Sequence, residues 1–344
     1  MITFIAKIIW IPFFVLLLAS VLYLYLHNRK LLKNYYGLLA KHKVKIKKFE
    51  NEAIEKNSFM KNQLEEIMTQ NIEITESIIY ARKIQKAVLP PDSLFEQYFK
   101  EYFILFKPKQ IVSGDFYWLV EKHNRIYISV ADSTGHGVPG AFMSLLGISF
   151  LNEIINKPEI LHANQILNRL RLHIIESLRQ TGKAGGSKDG MDMSLCVINR
   201  ETRQLEYAGA YNPIFIIREK TDDEHLFLDN NSIKIERNEA HTFIHVKPDR
   251  MPVGFDYRSE GHSFSNQLID LADGDAIYMF SDGYADQFGG ENNKKYSISR
   301  LKSLLLEIQK SKLEDQNYIL DDKFEEWKGK YAQIDDILII GFKI

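Results

Sequence analysis

The sequence predicts an α+β fold in which two packed sheets carry helices on their outer faces, set behind a membrane-spanning helix and a long connecting helix. Three observations predict it. A charge-free run, IIWIPFFVLLLASVLYLYL (8–26), lies near the N-terminus. From about Leu31 to Val88 there is no strand pattern, and no Pro or Gly after Gly37. Beyond Pro91, β-rich runs outnumber helical stretches and the central helices fall between two blocks of strands, an order that favours α+β layers over a parallel βαβ array.

The apolar run matches a hydrocarbon core about 30 Å thick. Trp10 near one end and Tyr23 and Tyr25 near the other suit the two interfaces. A cleaved signal peptide would have a shorter apolar region ending at small residues, whereas here Tyr and Leu run straight into His27, Asn28, Arg29 and Lys30. Residues 1–30 are therefore expected to be an uncleaved transmembrane anchor. Lys7 alone precedes the run; Arg29, Lys30, Lys33, Lys41, Lys43, Lys45, Lys47 and Lys48 follow it, with no acid before Glu50. The positive-inside bias makes this a single-pass protein of the inner (cytoplasmic) membrane with its bulk in the cytoplasm. The basic stretch can also lie against anionic headgroups, or simply form a solvated helix face.

Residues 31–89 read as one helix. A heptad register places Glu50, Asn57, Leu64, Asn71 and Ile78 at one core position and Ile46, Ala53, Met60, Ile67, Ile74 and Ala81 at the other. Buried asparagines at the first position would fix the register of a parallel homodimeric coiled coil. A single helix packed on the following domain is the alternative. Pro90 and Pro91 end the helix, because proline removes a donor and constrains the residue before it.

Residues 90–344 make the third segment. Short β-rich runs occur at 102–106, 116–120, 125–131, 193–198, 205–209, 213–218, 275–281 and 337–342, with amphipathic helical stretches near 138–156, 163–180, 297–310 and 313–329. GKAGGSKDG (182–190) is a loop by composition. With 45% hydrophobic and 26% charged residues the chain is an ordinary globular protein. A formal net charge of −1 gives no global field for nucleic acid. The single cysteine, Cys196, rules out an internal disulfide framework and a cysteine-built zinc site.

Acidic residues at strand ends, each near a glycine, carry the chemical signal. Asp115 stands in SGDFYW, Asp132 in SVADSTGHGVPG, Asp282 in YMFSDG, and Asp335 and Asp336 in IDDILIIGF. One Asp beside Gly is usually a turn residue. Four at the ends of β runs can point into one cleft, and hard oxygen ligands of this kind suit Mg²⁺ or Mn²⁺. Two such ions activate water and neutralise charge on a phosphoryl group. Asp273 and Asp275 read as ordinary turn residues. Gly135, Gly137 and Gly140 match G-x-G-x-x-G, but the next strand comes too late for a compact βαβ unit and Asp132 would repel a pyrophosphate. They are better read as letting backbone approach a bound ion, water or phosphate, with Pro139 starting a helix.

SGDFYW, ADSTGHGVPGAFMS, GMDMSLCVI, LEYAGAYNPIFIIR, DRMPVG, LADGDAIYMFSDGYAD and IDDILIIGF stand in the order and spacing of the SpoIIE/RsbU-like serine phosphatases, a branch of the PP2C superfamily of metal-dependent protein phosphatases, and KIQKAVLPP is similar to the segment leading into that domain. The resemblance covers about 80 to 344. It implies an αββα sandwich with two Mn²⁺ or Mg²⁺ ions, a third being allowed, and phosphoserine or phosphothreonine protein substrates, a STAS-type anti-sigma-factor antagonist among the candidates. By resemblance Asp132 bridges the metals, Asp115 and the Ser133 carbonyl serve one, and Asp282 and Asp335 complete the other. Asp336 falls beside the last ligand, Asp192 in a motif near the site, and His136 where it could touch phosphate or water. The helix entering the domain, Tyr80 to Leu89, corresponds to a segment that controls assembly of the site in such proteins. Two departures are Tyr211, where many members have histidine, and ILII after the last aspartates, where many have a threonine. The rival readings are a membrane-anchored scaffold that binds a phosphoprotein without catalysis, and a two-metal nuclease, which would need a basic groove.

Overall fold

The anchor and connector anticipated as separate segments are one uninterrupted helix, α1 (Ile2–Val88), with Pro12 inside it. In this computed structural model residues 2–159, 161–183, 186–220, 232–259 and 261–344 are described, residues 2–9 by backbone alone. Met1 of the anchor, the side chains of Lys7 and Ile8, and Ala184 and Gly185 of the 182–190 loop lie outside the described residues. The chain forms two compact units, Met1–Thr75 and Glu76–Ile344.

In the first unit every described side chain is exposed, so the helix has no packing of its own. Near its N-terminus a window of mean hydropathy 1.9 is long and apolar enough to cross a membrane. Helix α3 (Gly137–Ile155) passes the same test of length and composition, but half of its window is buried. It is a core helix.

The tail of α1 belongs to the second unit. Ile78, Ile79 and Ala81 are half-buried there, and Gln85 and Leu89 are buried, at the three-to-four spacing of a docked helix face. Two members of the heptad register, Ile78 and Ala81, are thus partly used within the unit. Helix α2 (Asp92–Tyr98), which the sequence reading did not anticipate, follows the two prolines.

The rest is an αββα sandwich. One sheet has the order β1 (Tyr102–Lys107), β13 (Ile337–Lys343), β10 (Ala276–Phe280), β6 (Ile214–Glu219), β8 (His241–Val246) and β7 (Ile233–Arg237), all neighbours antiparallel. The other has β2 (Phe116–Lys122), β3 (Arg125–Ser133), β4 (Met191–Asn199), β5 (Gln204–Ala210) and β9 (Gln267–Asp270), again antiparallel. A two-residue pair, β11 (Phe288–Gly289) with β12 (Lys294–Lys295), stands apart. Helices α3 and α4 (Ala163–Ser177) pack on the five-stranded sheet, and α6 (Ile298–Glu307) and α7 (Leu313–Lys328) on the six-stranded one.

Period-two alternation explains the layers. Along β13, Leu338, Ile340 and Phe342 enter the core between the sheets, while Ile337 and Ile339 enter the core beneath α6 and α7. Along β10, Ile277 and Met279 face the first core, Ala276, Tyr278 and Phe280 the second. Strands covered on both sides read as continuous apolar runs, which is why ILIIGF and AIYMF stood out. Each fully buried side chain of this size contributes about 1.5–3 kcal/mol.

All eight anticipated strands are present. Missed were β7, β8, β9 and the short pair β11 and β12: β7 exposes three of its five residues, β9 is only four residues long, and β11 and β12 have two residues each. Cys196 is buried on β4. Asp275 is more than a turn residue, because its buried carboxylate takes both Arg218 Nε (2.7 Å) and Arg218 NH2 (2.6 Å) and the backbone N–H of Ala272. The strand–helix connection at Gly135–Gly140 leads through α3 and α4 to β4, which runs antiparallel to β3. That is not the parallel βαβ unit a dinucleotide fingerprint needs.

Candidate metal centre

The aspartates come from both sheets. Asp115 immediately precedes β2, Asp132 is the penultimate residue of β3, Asp282 follows β10 at the cap of a one-turn helix, α5 (Gly283–Asp286), and Asp335 and Asp336 precede β13. Strands β10 and β13 pack against β3 across the sandwich, which brings these ends together.

Glycines make the approach possible. A Cβ on Gly114 would fall 2.5 Å from the Gly135 carbonyl oxygen and 3.1 Å from that of Ser133, and one on Gly140 would fall 2.3 Å from the Gly135 oxygen. Gly135 itself has φ +86°, a left-handed conformation that favours glycine. The loop after Asp132 therefore lies directly on the segment carrying Asp115.

Hydrogen bonds then lock the segment Ser113–Asp115 from three directions. Asp336, almost fully buried, accepts the backbone N–H of Lys109 at Oδ1 (2.7 Å) and of Gly114 at Oδ2 (2.7 Å). Ser281 donates its hydroxyl to Asp115 Oδ2 (2.6 Å) and accepts the N–H of Leu338 (3.0 Å). Gln85, from the tail of α1, accepts the N–H of Ser113 (3.1 Å) and donates to the Ser113 carbonyl (2.6 Å) and to Ser144 Oγ (2.8 Å).

The electrostatics of the cluster are one-sided. Burial pushes the Asp115 carboxyl well above its usual range; the Ser281 hydrogen bond opposes this, and Asp336, Asp335 and Asp282 add to it. Asp132 is raised in the same way by burial and then by Asp115, Asp282, Asp335 and Asp192. Asp282 is raised by burial, Asp286 and Asp335, and lowered by a hydrogen bond with Asp132 and by Lys295. That bond between two carboxyl groups needs a proton or a cation. Asp192 is pushed up to about 7 by burial and by Asp282.

Oxygen donors crowded in this way, with so little positive charge to balance them, fit divalent cations. Among the described residues no group of three or more His, Cys, Asp or Glu side chains is gathered closely enough to hold a metal ion.

Over residues 122–344, more than half of its length, the sequence matches the family described as Stage II sporulation protein E (SpoIIE). The chain belongs to the SpoIIE family. Among solved structures it resembles the SiaA-PP2C domain of Pseudomonas aeruginosa, with 28% identity and a TM-score of 0.65 over 80% of this chain and 98% of that one. It also resembles the PP2C phosphatase domain, with a fragment of the regulatory domain, of SpoIIE from Bacillus subtilis, at 16% identity and a TM-score of 0.50 over 71% of this chain and 63% of that one. The second likeness is one of fold alone. Among curated proteins none matches the chain. The SpoIIE-family unit here is a PP2C-like serine/threonine phosphatase domain with a long N-terminal helix.

Within this SpoIIE-family domain the sequence-derived residues divide into groups. Asp115, Asp132, Asp282 and Asp335 act electrostatically on one another, and Ser133 ends β3 beside Asp132. Asp192 lies directly across from Asp132 in the pairing of β3 with β4, closer to the chemistry than its sequence setting suggested. Asp336 has each carboxylate oxygen on a backbone N–H and so acts as a clamp. His136 is exposed at the N-cap of α3, where its side chain makes no capping bond. Tyr211 holds a left-handed φ of +55° and donates its N–H to the Asp249 carbonyl, at the β5 end that carries Asn212, whose side chain bonds the Asp192 carbonyl. Sequence reasoning missed Ser281 and Gln85. Ser281 could have been flagged by its place beside Asp282, whereas nothing local marks Gln85.

Proposed function

We propose that this SpoIIE-family chain is a Mn²⁺- or Mg²⁺-dependent protein phosphatase that hydrolyses phosphoserine or phosphothreonine on a cytoplasmic signalling protein, a STAS-type antagonist among the candidates. The observation that carries the reading is the convergence of Asp115, Asp132, Asp282 and Asp335 from both sheets into one acidic cluster, with Asp115 buried beneath, Asp132 and Asp335 half-buried and Asp282 open to solvent.

Asp132 is assigned between two ions, Asp115 and the Ser133 carbonyl to one, and Asp282 and Asp335 to the other. Asp192 adds a fifth carboxylate and leaves room for a third ion. When bound, the ions supply Lewis acidity that activates water and offsets charge on the phosphoryl oxygens. The protein's own contribution is position: strand ends hold the carboxylates, Asp336 fixes the loop before Asp115, and the glycines let that loop close on Asp132.

The surroundings fit a tethered enzyme. Residues 1–30 serve as a single-pass anchor in the inner membrane and the basic stretch after it places the catalytic domain in the cytoplasm. Residues 31–89 link anchor to catalytic domain, the 31–75 portion pairing with a second copy as a parallel coiled coil. Gln85, on the tail of that same helix, grips Ser113 two residues from Asp115 and so gives the helix a direct hold on the site. Residues 90–344 supply the catalytic sandwich.

The test is Mn²⁺-dependent phosphate release from an aryl phosphate and from phosphopeptides by the full-length chain in detergent. Asp132→Asn and Asp282→Asn should each abolish it. Full activity in either variant would sink the assignment. A non-catalytic scaffold predicts no Mn²⁺-dependent turnover even in the wild type. Comparing the phosphoproteomes of wild-type and Asp132→Asn cells identifies the substrate.

A further inference from the structure

One side chain outside the carboxylate set touches three of the segments that carry it. Ser281 lies between the end of β10 and Asp282. Its backbone N–H donates to the Leu338 carbonyl (2.9 Å), and its hydroxyl accepts the Leu338 N–H (3.0 Å), which ties it to the strand that begins just after Asp335 and Asp336. The same hydroxyl crosses to the other sheet and donates to Asp115 Oδ2 at 2.6 Å. At 2.6 Å it is at the short end of O–H···O bonds. Ser281 is 1% exposed, and Asp115 equally so; water cannot substitute for either partner.

Accepting from Leu338 leaves the hydroxyl one proton to give and sets its direction, toward Asp115. With Oδ2 taken, the Asp115 carboxylate has its plane fixed and its other oxygen left for an ion. We propose that Ser281 is a positioning residue for the metal centre: it holds Asp115, the ligand contributed through β2, in register with Asp282 and Asp335, contributed through β10 and β13. The inference rests on the two-ion reading above. Its consequence is that Ser281 sets the affinity for the ions and leaves the chemical step alone once they are bound.

Outer hydrogen-bond partners of metal ligands are worth about 10–100-fold in metal affinity or activity. Ser281→Ala in the full-length chain should therefore weaken Mn²⁺ binding by about 10–100-fold, measured directly by calorimetry and by the electron paramagnetic resonance signal of free Mn²⁺. At saturating Mn²⁺ its kcat should stay near the wild-type value. Ser281→Thr, which keeps the hydroxyl, should restore the affinity. Ser281→Cys, nearly isosteric but a much weaker donor, is measured beside the alanine variant and should behave like it, so that a poorly folded alanine variant does not decide the outcome. Wild-type Mn²⁺ affinity in a folded Ala or Cys variant overturns the proposal while leaving the metal centre standing. A fall in kcat at saturating Mn²⁺ with unchanged affinity overturns it too. Absence of Mn²⁺ binding by the wild type overturns the two-ion reading and this inference together.

Discussion

With chelator present the charge imbalance of the acidic cluster is open to pH, and Asp192 provides the cleanest measure. Its carboxyl is raised from an ordinary 3.8 to about 7 in the folded chain, chiefly by burial. A carboxyl raised on folding stabilises the native state below its unfolded pKa, and that stability is lost as pH rises through the folded pKa. Between about pH 7.5 and about pH 5.5 the folded protein takes up most of one proton at Asp192 that the unfolded chain does not, worth about 2 kcal/mol. His245 opposes this, because burial lowers it from 6.5 to about 4, so acidification charges it first in the unfolded chain. Comparing wild type with Asp192→Asn cancels that contribution, since both carry His245. With chelator present, acidification over this range should therefore raise the melting temperature of the wild type relative to Asp192→Asn by about 4 °C, taking roughly 2 °C per kcal/mol for a unit of this size. Tryptophan fluorescence is the assay, since Trp118 is buried in the catalytic unit and Trp10 is exposed on the N-terminal helix. Parallel pH profiles for the two proteins would refute the claim that Asp192 sits protonated within a common acidic cluster.

Two further outcomes follow from the helix. Gln85→Ala leaves the buried Ser113 N–H without its partner, at a cost of about 1–3 kcal/mol, and the Ser113 carbonyl with only the longer bond from Ser144 Oγ at 3.5 Å; phosphatase activity should fall and the Mn²⁺ requirement rise, read by titrating Mn²⁺ against phosphate release. Replacing both Asn57 and Asn71 by Leu should preserve association but relax its register and stoichiometry, read by analytical ultracentrifugation in detergent, and a monomeric wild type would remove the coiled coil from the proposal.

The sequence made the fold class and the four aspartates legible for the same reason. Strands β10 and β13 are apolar on both faces, so each reads as an unbroken run, and the aspartate at its end is the abrupt change of character that marks a cleft. Edge strands such as β7, with Lys234, Glu236 and Arg237 among five residues, have no such contrast and disappear into the surrounding polar sequence. Asp192 was hard to weigh because its importance lies in register: only the pairing of β3 with β4 sets it opposite Asp132. Gln85 lay inside KIQKAVLPP, the stretch already read as leading into the domain, but its partners did not show. It stands 28 residues from Ser113 and bonds the Ser113 backbone and Ser144 Oγ, a pairing of distant segments that no local pattern marks.

That distribution has a mechanical meaning. The four segments that carry the acidic cluster are each anchored in a sheet, but the one from Lys109 to Asp115 connects β1 to β2 and therefore passes from one sheet to the other. It is the segment least determined by its own strand pairing, and it is the one gripped by Asp336, Ser281 and Gln85. Asp336 and Ser281 belong to the six-stranded sheet and its strand ends, so they hold Asp115 whenever the sandwich is folded. Gln85 sits on the tail of α1, inside the same unit as the sandwich. Its loss would take from Ser113 one of its side-chain partners while the bonds of Asp336 to Gly114 and of Ser281 to Asp115 stayed in place. The hold on Ser113–Asp115 is thus divided between strand ends of the six-stranded sheet and one glutamine of the helix that enters the domain.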